Sequence, residues 1–359
     1  MAAAYVTCTA YRTALLYHFF KDRNNRREQT VVGVYRPDAE LGYSLVPGSR
    51  GADRFPVGPD IVMRQDRDGF RVPEGGPGIP VNARPLVISL GCSFTYGAAV
   101  CAEDTYSYLL GRKLRWTVRN AGVCGYGLSQ MLLQAEKLVP EYKPDYLLMQ
   151  YSTWLADRAQ NPLGPIVLGT FPTPYFFADG GRFRMHGPAF LGQALDLPYE
   201  RYRATPAGVF DALSFFRHVG WPLFFNDDYS MAMYRLRRSI GMLPKPAEDA
   251  DALARYVYGE AGRVARQYGA RLVVVVLGQN VQPVSIDPAL FPADAIVVNA
   301  HQALLEHLPF RNKDEYEKAY GLWRGSPLQR MDTHPNIAAH RIIAQTVAAA
   351  IKAAALRHR

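Results

Sequence analysis

Ser93, Asp332 and His334 bring together a hydroxyl, a carboxylate and an imidazole, the three groups that nucleophilic acyl transfer uses. They sit in loops of small residues, Gly91-Cys92-Ser93 and Asp332-Thr333-His334-Pro335-Asn336, with a third such loop between them, Asn120-Ala121-Gly122-Val123-Cys124-Gly125. In that chemistry a hydroxyl attacks and a base takes its proton. A carboxylate holds the base in the right tautomer, and N–H donors meet the developing oxyanion. Ser93 would attack, His334 would be the base and Asp332 its orienting acid, with the amides of Ser93 and Gly125 as oxyanion donors.

Each residue also has a plainer reading. A serine just after a strand is commonly a turn residue. His334 could simply cap the last helix, since Pro335 suits a first helical position. Gly125 could merely permit a tight turn. Cys92 competes with Ser93 as nucleophile, but neighbours at a strand end point to opposite sides, and a buried structural thiol suits it better. Asn120 is expected to shape its loop, and His340 to lie on the packed face of the last helix.

The elements around these loops decide between the readings. Leu86 to Leu90 is a run of strand-formers bounded by Pro85 and Gly91. A hydroxyl just past the carboxyl end of such a strand lies where open α/β sheets place ligands. A helix follows through TYSYLLGRKL with Asp104 as N-cap, then a strand TVRNAG (117–122). Ser129 opens a helix through SQMLLQAEKLVPEY, and a strand DYLLMQYS starts at Asp145. Later come a long helix over about 248–268 and the strands RLVVVVLG (271–278) and DAIVVNA (294–300). The chain closes with a helix through IAAHRIIAQTVAAAIKAAALRHR, whose basic end suits the negative end of a helix dipole. Strands alternating with helices predict a parallel sheet with crossover helices.

Residues 30–84 hold short strand-like pieces, VVGVY, LGYSLV, DIVMR and GFRV, between turn signals, and read as an irregular β-rich lead-in. Residues 154–246 interrupt the regular pattern with TPYFFADGGRFRMHG, predicted as a hairpin, and an aromatic-rich stretch from Phe215 to Ser239. The aromatics of 171–234 read as core before they read as a sugar platform. Arg182, Arg184, Arg235, Arg237 and Arg238 read as a solvated face.

The motifs resemble those of the SGNH (GDSL-like) hydrolases. GCSFTYG is similar to their first block, NAGVCG to the second and DTHPN to the last, over roughly residues 85 to 350 with the insertion excepted. The resemblance implies a flavodoxin-like α/β/α sandwich and a serine hydrolase needing no cofactor or metal. It places an oxyanion donor on Gly125, five residues after Asn120. Two positions depart from the pattern. Cys92 stands where the family writes aspartate, and the third-block asparagine falls near Trp154, with Ser152 and Thr153 beside it, so that either the indole N–H or a hydroxyl donates instead or the oxyanion hole is one donor short. Asp332 also precedes His334 by two residues, where three is the common spacing.

Composition narrows the alternatives. A chain of 359 residues, 48% hydrophobic and 20% charged, has the material for a globular core. The net charge of +9 favours anionic partners in general, but the basic residues are scattered and carry no helix-turn-helix, zinc-finger or RNA-stacking signature, so nucleic acid is not expected. The glycines at 91–97 lack the lysine of a phosphate loop and the G-x-G-x-x-G of a dinucleotide site. No cluster has metal-ligand spacing. Cys8, Cys92, Cys101 and Cys124 suit free thiols, with a Cys92–Cys124 bridge left open. The apolar piece from Ala14 to Phe20 is too short to span a membrane and could at most lie on its surface. It makes a poor export signal, which leaves the cytoplasm as the expected location.

The fold class expected is therefore α/β, a three-layer α/β/α sandwich: an extension over 1–84, and a hydrolase domain over 85–356 with 154–246 inserted as a cap. The activity expected is a serine esterase removing an acyl group, acetyl by family analogy, from a carbohydrate or glycoconjugate. An acyltransferase with the same triad and a non-catalytic carbohydrate-binding relative are the alternatives. The substrate-binding residues and oligomeric state are unknown from the sequence.

Overall fold

The computed structural model describes residues 34–53, 57–76, 83–166, 169–188 and 238–356. The piece at 14–20, Cys8, Arg235, Arg237 and most of the aromatic-rich stretch lie outside them.

One eight-stranded sheet organises the chain. Three short strands come from the lead-in, β1 (Arg50–Asp53), β2 (Ile61–Gln65) and β3 (Arg71–Val72). Five more follow, β4 (Leu86–Leu90), β5 (Thr117–Asn120), β6 (Tyr146–Tyr151), β7 (Arg271–Val276) and β8 (Ile296–Asn299). Their spatial order is β8-β7-β6-β4-β5-β3-β2-β1. Strands β4 to β8 are parallel, and in sequence rank they run 2-1-3-4-5, the flavodoxin-like arrangement. The lead-in is not a separate layer: β3 pairs antiparallel with β5 through Arg71 and Asn120 and carries the sheet outward. A hairpin, Tyr35–Asp38 with Gly42–Leu45, precedes it.

Among the described residues the α-helices are α1 (Ser93–Tyr96), α2 (Tyr106–Leu114), α3 (Leu128–Tyr142), α4 (Trp154–Ala159), α5 (Ala250–Gln267), α6 (Ala300–Glu306), α7 (Lys313–Tyr320) and α8 (Ile337–Leu356). Helices α3, α4 and α5 pack together on one face, while α2, α6, α7 and α8 cover the other. The strands between are apolar on both sides, as sandwiching requires: Val87, Ile88, Leu90, Leu147, Leu148 and Val273 to Val276 are fully buried.

Some boundaries differ from expectation. Thr105, not Asp104, caps α2, because its extended backbone lets the hydroxyl accept the Tyr108 N–H at 3.4 Å. Helix α3 begins at Leu128, since the Gln130 side chain reaches back to the Gly127 N–H at 2.9 Å. The hairpin predicted over 173–187 is present as Tyr175–Asp179 with Arg182–His186, and a second one, Leu163–Ile166 with Gly169–Pro172, precedes it. Cys92, Cys101 and Cys124 are free thiols, so the Cys92–Cys124 bridge does not form. The basic residues expected at the end of α8 lie beyond the described residues. No helix among the described residues is long and apolar enough to cross a membrane.

Candidate active site

Ser93 is the first residue of α1, a single helical turn entered directly from β4. The Cys92 carbonyl closes the turn by accepting the N–H groups of Thr95 and Tyr96 at 3.0 and 2.9 Å. Only glycine fits at the strand exit, since a Cβ on Gly91 would stand 2.0 Å from Thr95 Oγ1 and 2.6 Å from Gln150 Oε1.

Asp332 arrives from elsewhere. It ends a small antiparallel hairpin, Leu322–Arg324 with Gln329–Asp332, outside the main sheet. Two residues on, His334 lies just before α8 and turns its imidazole between the other two groups. Its Nδ1 is 2.6 Å from Asp332 Oδ1 and its Nε2 is 2.9 Å from Ser93 Oγ. A carboxylate only accepts, so Nδ1 carries the proton and donates to Asp332, which leaves the Nε2 lone pair for the Ser93 hydroxyl. Asp332 Oδ1 also accepts the His334 backbone N–H at 2.6 Å. Burial acts to raise the Asp332 pKa, but hydrogen bonds and charge from His334 outweigh it and hold the carboxyl below its ordinary value. Ser93 is buried, while Asp332 and His334 are partly open to solvent.

The second loop meets the first. Asn120 acts as a loop-shaping residue, donating to the Thr95 carbonyl at 2.9 Å and accepting the Gly122 N–H at 3.0 Å. Gly125 takes a left-handed φ of 84°, so the turn needs glycine there. Among the described residues the amides of Ser93 and Gly125 donate to no protein acceptor. Trp154 begins α4 with its ring edge-on to Phe94 at 5.4 Å, and Phe94 stands edge-on to His334 at 5.6 Å. The residue at the departing third-block position thus belongs to the aromatic wall beside the imidazole.

Three neighbours were not anticipated. Gln150, fully buried near the end of β6, accepts the Cys92 N–H at 3.1 Å and the Thr95 hydroxyl at 2.9 Å, and donates to Ser152 Oγ at 2.9 Å. Its signal was a lone amide in the apolar run YLLMQY. Thr95 also bonds the Tyr106 hydroxyl at 2.8 Å. Arg71 is buried behind the α1 turn. Ser152 donates to the Leu277 carbonyl at 2.7 Å, so its hydroxyl proton is already committed.

Other predicted residues stand apart. His340 lies fully buried on the packed face of α8, its Nδ1 accepting the Tyr106 N–H at 3.1 Å. Burial, and then the charge of Arg71, push its pKa down to about 3, so it stays neutral. Arg184 pairs with Asp179 at 2.8 Å on an exposed hairpin, and Arg182 and Arg238 are likewise exposed. Cys92 is fully buried, with Sγ 3.9 Å from Ser93 Oγ. Among the described residues no group of three or more His, Cys, Asp or Glu side chains is placed to hold a metal ion.

No family model matches the sequence, and no curated protein matches it. Among solved structures, the chain is similar to LAE5, an alpha/beta hydrolase enzyme from the metagenome of Lake Arreo, Spain, at 13% identity over 77% of this chain and 98% of that one, with a TM-score of 0.38. It is also similar to TesA, at 14% identity over 75% and 99% with a TM-score of 0.33. A catalytic mutant of Axe2, an acetylxylan esterase from Geobacillus stearothermophilus, matches at 11% identity over 76% and 96% with a TM-score of 0.35. What this chain can do chemically is carried by its own side chains.

Proposed function

We propose that the chain is a serine esterase of the SGNH type, removing an acyl group, acetyl in the first instance, from a carbohydrate or glycoconjugate. The observation that carries this reading is the unbroken hydrogen-bonded line from Ser93 Oγ through His334 to Asp332. His334 Nε2 takes the Ser93 proton as Oγ attacks the ester carbonyl, and Asp332 stabilises the imidazolium that forms. The amides of Ser93 and Gly125 receive the oxyanion, with Trp154 as the third donor. His334 then returns the proton to the leaving alcohol, and an acyl group remains on Ser93. Water enters, His334 takes its proton, and the acid departs with Ser93 restored. No step calls for a metal or cofactor. The cap expected over 154–246 falls in part on residues 189–237, which lie outside the described residues.

The test is acid release from p-nitrophenyl acetate and from acetylated oligosaccharides, for wild type and Ser93→Ala, with and without alcohol acceptors. Turnover in water alone that Ser93→Ala abolishes supports the esterase. Turnover that requires an acceptor indicates an acyltransferase. Carbohydrate binding unaffected by Ser93→Ala, with no turnover, contradicts catalysis.

A further inference from the structure

Arg71 is fully buried, and its guanidinium meets backbone carbonyls and no carboxylate among the described residues. A cation withdrawn from water is unfavourable unless its donors are satisfied and a partner charge is near. The donors are largely satisfied. One terminal nitrogen donates to the carbonyls of Tyr96 at 2.9 Å and Gly97 at 2.8 Å, and the other to Val100 at 2.6 Å and Val62 at 3.2 Å. Among the described residues the Nε–H finds no acceptor. The guanidinium lies 4.2 Å from the centre of the Tyr96 ring. No partner charge pairs with it among the described residues.

Three of the four carbonyls belong to the turn leaving α1, the helix that Ser93 begins. The Ser93 carbonyl closes the same turn by accepting the N–H groups of Gly97 at 2.9 Å and Ala98 at 3.1 Å. The positive charge therefore sits about one helical turn from the nucleophile, at the carbonyl end of α1. Through its backbone Arg71 pairs with Asn120, whose side chain holds the Thr95 carbonyl. Sheet, nucleophile turn and second loop thus meet at one residue.

We propose that Arg71 is a positioning residue for acyl transfer: it fixes the turn that presents Ser93, and as a buried cation behind that turn it favours the oxyanion over the neutral ester. The proposal rests on the serine-esterase reading above. A fixed charge in dry surroundings acts on charge that develops only in the transition state, so it changes turnover more than substrate binding.

The experiment compares the second-order rate of fluorophosphonate labelling, together with kcat and KM for p-nitrophenyl acetate, across wild type, Arg71→Lys, Arg71→Met and Tyr108→Phe. Tyr108 donates its hydroxyl to the Arg71 carbonyl at 3.2 Å, so Tyr108→Phe weakens the same region while leaving the guanidinium in place. Arg71→Met is expected to label about 100-fold more slowly, with KM within about twofold of wild type, and Arg71→Lys to lose about tenfold, because one ammonium keeps the charge but not the fork. Tyr108→Phe should lower the thermal midpoint yet label at the wild-type rate. If Arg71→Met does not fold, Arg71→Lys decides, and a wild-type labelling rate there overturns the proposal. It is also overturned if folded Arg71→Met labels normally, or if Tyr108→Phe slows labelling as much as it does. A wild-type protein that does not label at all removes the esterase reading and this proposal with it.

Discussion

His334 Nε2 stands 2.9 Å from Ser93 Oγ although 241 residues separate the two along the chain. Strand β4 delivers the serine to the carboxyl edge of the sheet, and a hairpin outside that sheet delivers Asp332 and, two residues on, His334. Asp332→Asn keeps this geometry nearly isosteric, but an amide can donate to Nδ1 and so place the imidazole proton on the wrong nitrogen. Esterase turnover should fall by roughly 10³–10⁴-fold, with a smaller change in KM, as steady-state kinetics on p-nitrophenyl acetate will read.

Trp154 stands near the position where the resembling family keeps its third oxyanion donor. Trp154→Phe retains the ring against Phe94 and removes the N–H, so kcat should fall by about 10²–10³-fold if the indole donates. Trp154→Asn should keep more of the activity than Trp154→Phe. The reverse order would assign the residue to the aromatic wall alone.

Gln150 accepts the Cys92 N–H and the Thr95 hydroxyl of the nucleophile loop. Gln150→Leu leaves both without that acceptor inside the protein, where an unmade hydrogen bond destabilises by about 1–3 kcal/mol. A lower denaturation midpoint is expected, together with slower fluorophosphonate labelling of Ser93.

The acid side of the stability profile should carry His340. Its folded pKa, about 3, lies below the ordinary value of 6.5, so between these the unfolded chain binds the extra proton. Its contribution is full above about pH 6.5 and declines as pH falls toward 3, by about 1.4 kcal/mol per unit for one proton. His301, lowered chiefly by burial, adds in the same direction. Asp332, whose folded pKa is depressed, adds stability that is present above 3.8 and lost as pH falls below it. His340→Gln, which keeps an acceptor for the Tyr106 N–H, should flatten the slope of thermal midpoint against pH between 6.5 and about 4.

The parts of the site written in loops of small residues were legible in the sequence. Ser93 after LVISL, Asn120 in NAGVCG and the DTHPN stretch each announce a strand exit or a helix entry, and parallel β-α alternation brings such ends to one edge. The residues beneath were not legible, because their roles arise from neighbours distant in sequence. Gln150 braces a loop 58 residues away, and Arg71 reaches carbonyls 25 to 29 residues on from a strand only two residues long. Thr105 and Asp104 are both reasonable caps by type, and only the backbone angles at Thr105 decide between them.

Intact-mass labelling of wild type and Ser93→Ala with a fluorophosphonate tests the central claim most directly. One adduct on wild type, absent from Ser93→Ala and located at residue 93 by peptide mapping, is the predicted result. Wild type that stays unlabelled and leaves p-nitrophenyl acetate untouched would contradict it, as would an adduct that persists in folded Ser93→Ala.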